Sequence, residues 1–79
     1  MVLLDVINVE AKSDGTLVLV FENQEKRLFD MKPYLSRQPC VKLRERGLFM
    51  KASVALGTVV WPENIDIAPE TLWEESQPV

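Results

Sequence analysis

The sequence predicts an α+β domain in which two short helices cover part of an antiparallel sheet of about five strands. Three observations lead to this prediction. Short runs of β-branched and aliphatic residues alternate with turn residues, an Asp14-Gly15 pair separates the first two runs, and two short segments carry residues typical of helix ends, Gly47 and Pro69. The expected order of elements is β-β-β-α-β-β-α.

The first three strands should form one meander. Val2 to Ala11 is followed by the turn Ser13 to Thr16, and Leu17 to Phe21 is then apolar on both of its faces. Such a run is typical of a strand at the centre of a sheet, and we expect it to be the most buried element. The third strand should run from Arg27 to Met31 and end at Pro33.

The second half of the chain should add one helix and a hairpin. Cys40 to Arg46 fits one or two helical turns, with Gly47 as the C′ residue that ends them. Leu48 to Ala55 alternates in its central part and predicts a fourth strand. Thr58 to Trp61 predicts the fifth, ended by the proline that follows it.

A last short helix is predicted from Pro69 to about Glu75. Proline suits the first helical position, which makes Ala68 the N-cap residue, and Glu70 complements the positive end of the helix dipole. The order should end near residue 75, and we expect Gln77 to Val79 to fray.

Length and composition bound the class of protein. The chain has 79 residues, enough for one small domain, and no apolar run approaches the ~18 residues that cross a bilayer. The start lacks the basic region of a signal peptide, and the lone Cys40 cannot form an internal disulfide, so we expect a cytoplasmic protein without a membrane partner. The net charge of −3 argues against direct nucleic-acid binding.

The residue types argue against catalysis. Without histidine, the chain cannot form Ser-His or Cys-His pairs and lacks the commonest zinc ligand. Cys40 should be an ordinary half-buried cysteine, although a helix N-terminus would lower its pKa. We expect no enzyme, no cofactor, no metal and no disulfide requirement.

Two charged clusters have a structural and a functional interpretation. A metal or acid/base cluster is the functional interpretation of the four acids near the C-terminal end, Glu63, Asp66, Glu70 and Glu74, but their spacing matches no metal-ligand loop. Glu70 and Glu74 lie one helical turn apart, so a solvated acidic face is expected for them. A basic stretch lacks interleaved aromatic residues, so a solvated helix face is expected, with phosphate binding as the alternative, for Lys42, Arg44, Arg46 and Lys51.

Trp61, Asp66 and Trp73 are the candidate binding residues, each with a structural alternative that we favour. Both tryptophans should be core residues, with Trp61 the nearest large apolar side chain to receive Leu72 and Trp73; the alternative is an exposed binding anchor. Asp66 should accept backbone N–H bonds within the Pro62 to Ala68 turn; the alternative is a ligand contact.

The stretch WPENIDIAPETLWE, from Trp61 to Glu74, is the most specific part of a resemblance that covers Val2 to Glu75. Phe29-Asp30-Met31 and the Leu43 to Phe49 region support it. In these features the chain resembles a bacterial family, domain of unknown function 2442. It departs from the family at two turns, where Asn23-Gln24 replaces an expected Asp-Gly and Glu63-Asn64 an expected Asn-Gly, so both turns should survive with some backbone strain.

The resemblance implies a small accessory protein, often encoded beside another small protein and in longer chains joined to a helix-turn-helix domain. The leading hypothesis is a non-catalytic protein-interaction or regulatory module that binds an unknown protein partner, as in a toxin–antitoxin-like pair, or forms a homodimer. The alternative is a regulatory domain that binds a small ligand or nucleotide. A third hypothesis is an enzyme that uses Asp66 and neighbouring carboxylates.

Overall fold

Seven strands and two short α-helices make up the part of the chain that the structure, a computed structural model, describes: residues 4–37 and 40–79. The α+β class and its antiparallel pairing are confirmed. In chain order the elements are β1 (Val6–Ala11), β2 (Thr16–Phe21), β3 (Lys26–Asp30), α1 (Val41–Glu45), the 3-10 helix Phe49–Lys51, β4 (Ser53–Ala55), β5 (Thr58–Trp61), β6 (Ile65–Asp66), α2 (Pro69–Glu74) and β7 (Gln77–Pro78).

The strands form two sheets where the sequence predicted one. The larger sheet has the order β1-β2-β3-β7, and the smaller has the order β4-β5-β6. Strand β2 lies between β1 and β3, and its side chains at Leu17, Leu19 and Phe21 are fully buried, which confirms that it is central. The first turn forms as predicted, because the Asp14 carboxylate accepts bonds from the Thr16 N–H at 3.1 Å and the Thr16 hydroxyl at 2.6 Å.

The predicted fourth strand is wrong over its first half. Phe49–Lys51 forms a 3-10 helix, and the strand begins only at Ser53. The Lys51 N–H bonds to the Leu48 carbonyl within this turn at 2.9 Å. The Phe49 ring stacks on Trp61 and its carbonyl accepts the Trp61 indole N–H, so tertiary contacts override the alternating pattern.

The two sheets are joined where β1 meets the β4–β5 hairpin. The Val6 N–H donates to the Gly57 carbonyl at 2.9 Å. Gly57 has a positive φ of 76°, and a Cβ there would lie 2.5 Å from the Asp5 Oδ1 atom. Only glycine fits this close approach, which brings the hairpin against the start of β1.

The C-terminal end is more ordered than predicted. Helix α2 begins at Pro69 after the N-cap Ala68, as expected, and Leu72 is fully buried. However, Gln77–Pro78 does not fray: it pairs with β3 as strand β7. The side chain of Arg27 explains this order, because it donates to the Ser76 hydroxyl at 2.6 Å and to the Ser76 carbonyl at 2.8 Å.

Both turns that depart from the family keep a left-handed backbone. The φ angle is 69° at Gln24, 70° at Glu63 and 61° at Asn64. These residues therefore carry the strain expected of non-glycine residues in this region. Within the described ranges, no helix is both long enough and apolar enough to span a membrane.

Candidate functional site

Trp61 lies in the core, as expected, and supports a neighbouring aromatic ring. Only 4% of its surface is exposed. Its ring stacks on Phe49 with 6.3 Å between centroids and 23° between planes, and its Nε1 lies 2.9 Å from the Phe49 carbonyl oxygen. Trp61 therefore positions the 3-10 helix rather than presenting its own ring to solvent.

Trp73 lies elsewhere, on the larger sheet. Its half-buried ring meets the Phe21 ring edge-on, with centroids 5.0 Å apart, and the Arg27 guanidinium carbon lies 4.3 Å from its centroid. The ring that receives Trp73 is thus Phe21 of β2, and the expectation that Trp61 receives it is wrong. A T-shaped pair and a cation over the ring face are both favourable geometries.

The predicted turn role of Asp66 is also wrong. Asp66 is exposed in β6, where its backbone pairs with Val60, and across residues 4–37 and 40–79 no hydrogen bond reaches its carboxylate. The Thr58 hydroxyl instead donates to the Ile67 carbonyl, so a buried side chain from β5 holds this segment. The three sequence-predicted residues therefore form no common site.

A solvent-open apolar cavity of about 340 Å³ is the candidate site. We call it the Met50 groove, and it is lined by Ser13, Gly15, Leu35, Leu43, Arg44, Gly47, Phe49 and Met50. Leu43 is fully buried at its base, Phe49 is half-buried, and Met50 is 60% exposed at its rim. The exposure of these three apolar side chains therefore increases from the base of the groove to its rim.

The end of α1 sets one side of the Met50 groove. Gly47 adopts φ 65° as the C′ residue, as predicted. The Leu48 N–H bonds to the Leu43 carbonyl at 2.9 Å and the Gly47 N–H to the Arg44 carbonyl at 3.4 Å, the two bonds of a Schellman motif. This reversal leads directly into the 3-10 helix and brings Phe49 and Met50 beside α1.

The β1–β2 turn and the segment after β3 form the opposite side. Gly15 has φ 89°, and a Cβ there would lie 2.9 Å from Lys32 Cγ and 3.9 Å from Leu35 Cδ1. The Gly15 carbonyl also accepts the Met31 N–H at 3.0 Å. A bare backbone at Gly15 therefore lets the turn close against Lys32 and Leu35.

Charge is segregated around the Met50 groove. Residues 41–51 carry four basic side chains and one acidic, a net charge of +3, whereas the rest of the chain carries five basic and eleven acidic side chains, a net charge of −6. Arg46 is paired with Glu63 at 2.8 Å. Lys42, Arg44 and Lys51 are exposed, and nowhere in the described ranges does a carboxylate lie within ion-pair distance of them.

A second cavity, of about 290 Å³, is a weaker candidate because both of its carboxylates already accept hydrogen bonds. In its lining, the Asp30 carboxylate accepts the Lys32 N–H at 2.9 Å. The Glu75 carboxylate accepts the Tyr34 hydroxyl at 2.7 Å, a bond that raises the pKa of Tyr34. As for metals, no cluster of three candidate ligands occurs in the part of the chain that is described.

Cys40 is more buried than predicted, with 6% of its surface exposed. Burial raises the pKa of its thiol, opposite to the lowering expected from a helix N-terminus. A thiol with a raised pKa is mostly protonated near neutral pH and is a poor nucleophile.

The fold and the groove define a small two-sheet α+β domain with an apolar surface cavity bordered by basic side chains. Residues 6–78 match the family described as Protein of unknown function (DUF2442), and the chain belongs to that family. The resemblance found in the sequence is therefore confirmed. The comparisons with curated proteins and with solved structures gave no significant match.

Proposed function

We propose that this domain is a non-catalytic protein-interaction module and that the Met50 groove is its docking site. The observation that carries the proposal is the exposed methionine at the rim of an apolar cavity. Methionine is flexible and polarizable, and it is common on surfaces that adapt to a protein partner. Exposed apolar surface beside polar residues is typical of interaction sites.

The lining of the Met50 groove favours binding over chemistry. Its side-chain polar groups are the Ser13 hydroxyl and the Arg44 guanidinium. A serine nucleophile needs a neighbouring base, and the chain has no histidine to act as one. The Cys40 thiol is buried, and its raised pKa opposes nucleophilic use. These features support a site that binds and does not react.

The biological setting is part of the same proposal. We extend the proposal to a bacterial, cytoplasmic accessory protein that pairs with an adjacent small protein, as in toxin–antitoxin-like systems; this setting comes from the sequence resemblance, since the family itself is described as of unknown function. A homodimer through the groove is the other form of this hypothesis. In either case the domain would act by binding another protein chain.

A regulatory domain that binds a small ligand is the second candidate, and the volume of the groove favours it. A cavity of about 340 Å³ falls within the range of roughly 300–1,000 Å³ typical of small-molecule sites. The lining contains one cation, Arg44, so an apolar ligand fits better than a nucleotide with several phosphates. Thermal-shift screening tests this, since a ligand at 100 times its Kd stabilises by about 2.7 kcal/mol.

Capture of partners from the native host by the tagged full chain tests the main proposal. Met50→Asp should abolish capture of a specific protein, because it places a charge at the apolar rim. Leu56→Asp is the matched control, since Leu56 is also an exposed apolar residue but lies outside the groove. Equal capture by both variants, at equal melting temperature, would contradict the proposal.

A further inference from the structure

We infer that the partner segment that occupies the Met50 groove is acidic and carries an apolar anchor side chain. The inference rests on the proposed docking function and adds the chemistry of the partner. Two observations carry it: the apolar volume of the groove, and the exposed cations Arg44, which lines the groove, and Lys51, which follows its rim residue Met50.

The cations belong to the two elements that form the same side of the groove. Arg44 lines the groove from α1, and Lys51 directly follows the rim residue Met50 in the 3-10 helix. Lys42 adds a third exposed charge on α1. No carboxylate among the described residues lies within ion-pair distance of these three side chains, so an acidic ligand would not have to displace an internal partner.

The local charge beside the groove, and not the net charge of the chain, determines the sign of the charge that we expect on the partner. The chain as a whole is acidic, at −3, but residues 41–51 carry +3. Interactions between exposed charges are largely screened beyond about 8 Å at physiological ionic strength. A segment docked in the groove therefore responds on this side mainly to Arg44, which lines the groove, and to Lys51, which follows the rim residue Met50, so acidic residues that flank the anchor there are favoured.

The volume of the groove limits the size of the anchor side chain that it can hold. A cavity of about 150 Å³ lined by apolar side chains holds a benzene ring. The groove, at about 340 Å³, therefore has room for a leucine or phenylalanine side chain with part of its flanking backbone. The half-buried Leu35 and Phe49 would contact the anchor, and Met50 would close over it.

The chain has an acidic aromatic segment of its own, Trp73-Glu74, but this segment already packs within the domain. Trp73 and Glu74 belong to α2, where the tryptophan ring packs between Phe21 and Arg27. Strand β7, which follows, is paired with β3. A second copy would have to release these contacts to offer this segment, so a different protein is the favoured occupant.

A random dodecapeptide library displayed on phage and panned against the full chain tests the inference. Enriched peptides should carry net negative charge and a leucine, phenylalanine, isoleucine or methionine. For a synthetic peptide from this pool, Arg44→Glu and Lys51→Glu should each weaken binding about tenfold in fluorescence anisotropy, and added salt should also weaken it. Lys26→Glu, the same charge change at an exposed position on β3, should leave affinity unchanged.

The failures of the two proposals are distinguishable. Enriched peptides that are neutral or basic, but lose binding to the Met50→Asp variant, would overturn the acidic partner and leave the docking groove standing. Peptides whose binding is unchanged by Met50→Asp would overturn both. A concentration-dependent dimer that Arg44→Glu dissolves would identify a second copy as the occupant and overturn the inference, as would a library that shows no enrichment.

Discussion

The indole N–H of Trp61 donates a hydrogen bond to the carbonyl oxygen of Phe49, with 2.9 Å between nitrogen and oxygen. The two rings also stack, so one buried side chain holds both the backbone and the ring of the residue that forms a wall of the Met50 groove. Trp61 thus links the core of the smaller sheet to the candidate site without being exposed there.

Two variants of Trp61 should separate the contribution of its ring packing to stability from that of its hydrogen bond. Trp61→Ala should cost roughly 3–5 kcal/mol, because it removes a buried aromatic side chain. Trp61→Phe should cost less, because it keeps a ring against Phe49. Its cost should come mainly from the lost hydrogen bond to the Phe49 carbonyl. Urea unfolding of both variants measures this order, and a native melting temperature for Trp61→Ala would refute the structural role.

Arg27→Lys should release the C-terminal strand while the charge is kept. Lysine cannot reproduce the two bonds to Ser76 together with the stack over Trp73, so about 1–3 kcal/mol should be lost. Hydrogen exchange of the Val79 amide, which bonds to the Lys26 carbonyl, should accelerate more than that of β2 amides. Unchanged exchange at Val79 would show that Arg27 does not order this strand.

Leu56→Asn should stabilise the domain by about 1 kcal/mol. Leu56 has φ 53°, so its backbone is strained in the left-handed region. Its side chain is fully exposed, so no burial of apolar surface offsets that strain. Asn-Gly is the preferred pair for a two-residue hairpin loop in which both residues have positive φ.

Gly57→Ala is the contrasting variant in the same turn. The new Cβ would meet the Asp5 carboxylate at 2.5 Å, so stability should fall. Chemical denaturation compares the two, and a loss of stability in Leu56→Asn would contradict the interpretation of this turn.

Cys40 should react slowly with iodoacetamide in the native protein. Burial raises the pKa of its thiol and limits access, so both the thiolate fraction and the encounter with reagent are reduced. At pH 8, alkylation followed by mass spectrometry should be much slower than in the urea-unfolded chain. Equal rates in the two states would indicate an exposed, reactive thiol.

The sequence predicts well those elements whose causes are local. The Asp14-Gly15 turn, the Gly47 helix end and the Pro69 helix start each depend on residues within a few positions, and all three form as predicted. The strand β2 is central because its own residues are apolar on both faces.

The elements that the sequence did not reveal depend on distant partners. Phe49 leaves the strand pattern because Trp61 holds it, and β7 forms because Arg27 reaches Ser76, 49 positions away. The Met50 groove is assembled from three separate segments, so none of them alone carries a signal for it. The basic residues beside it were visible in the sequence, but without the cavity they resembled an ordinary solvated face.

Site-specific photo-crosslinking tests the central claim, that a protein partner docks in the Met50 groove, most directly. A diazirine amino acid placed at position 50 in the full chain, expressed in the native host and irradiated, should give a discrete protein adduct on a denaturing gel. The same amino acid at position 56, exposed but outside the groove, should give none. An adduct from position 56 but not from position 50 would contradict the claim.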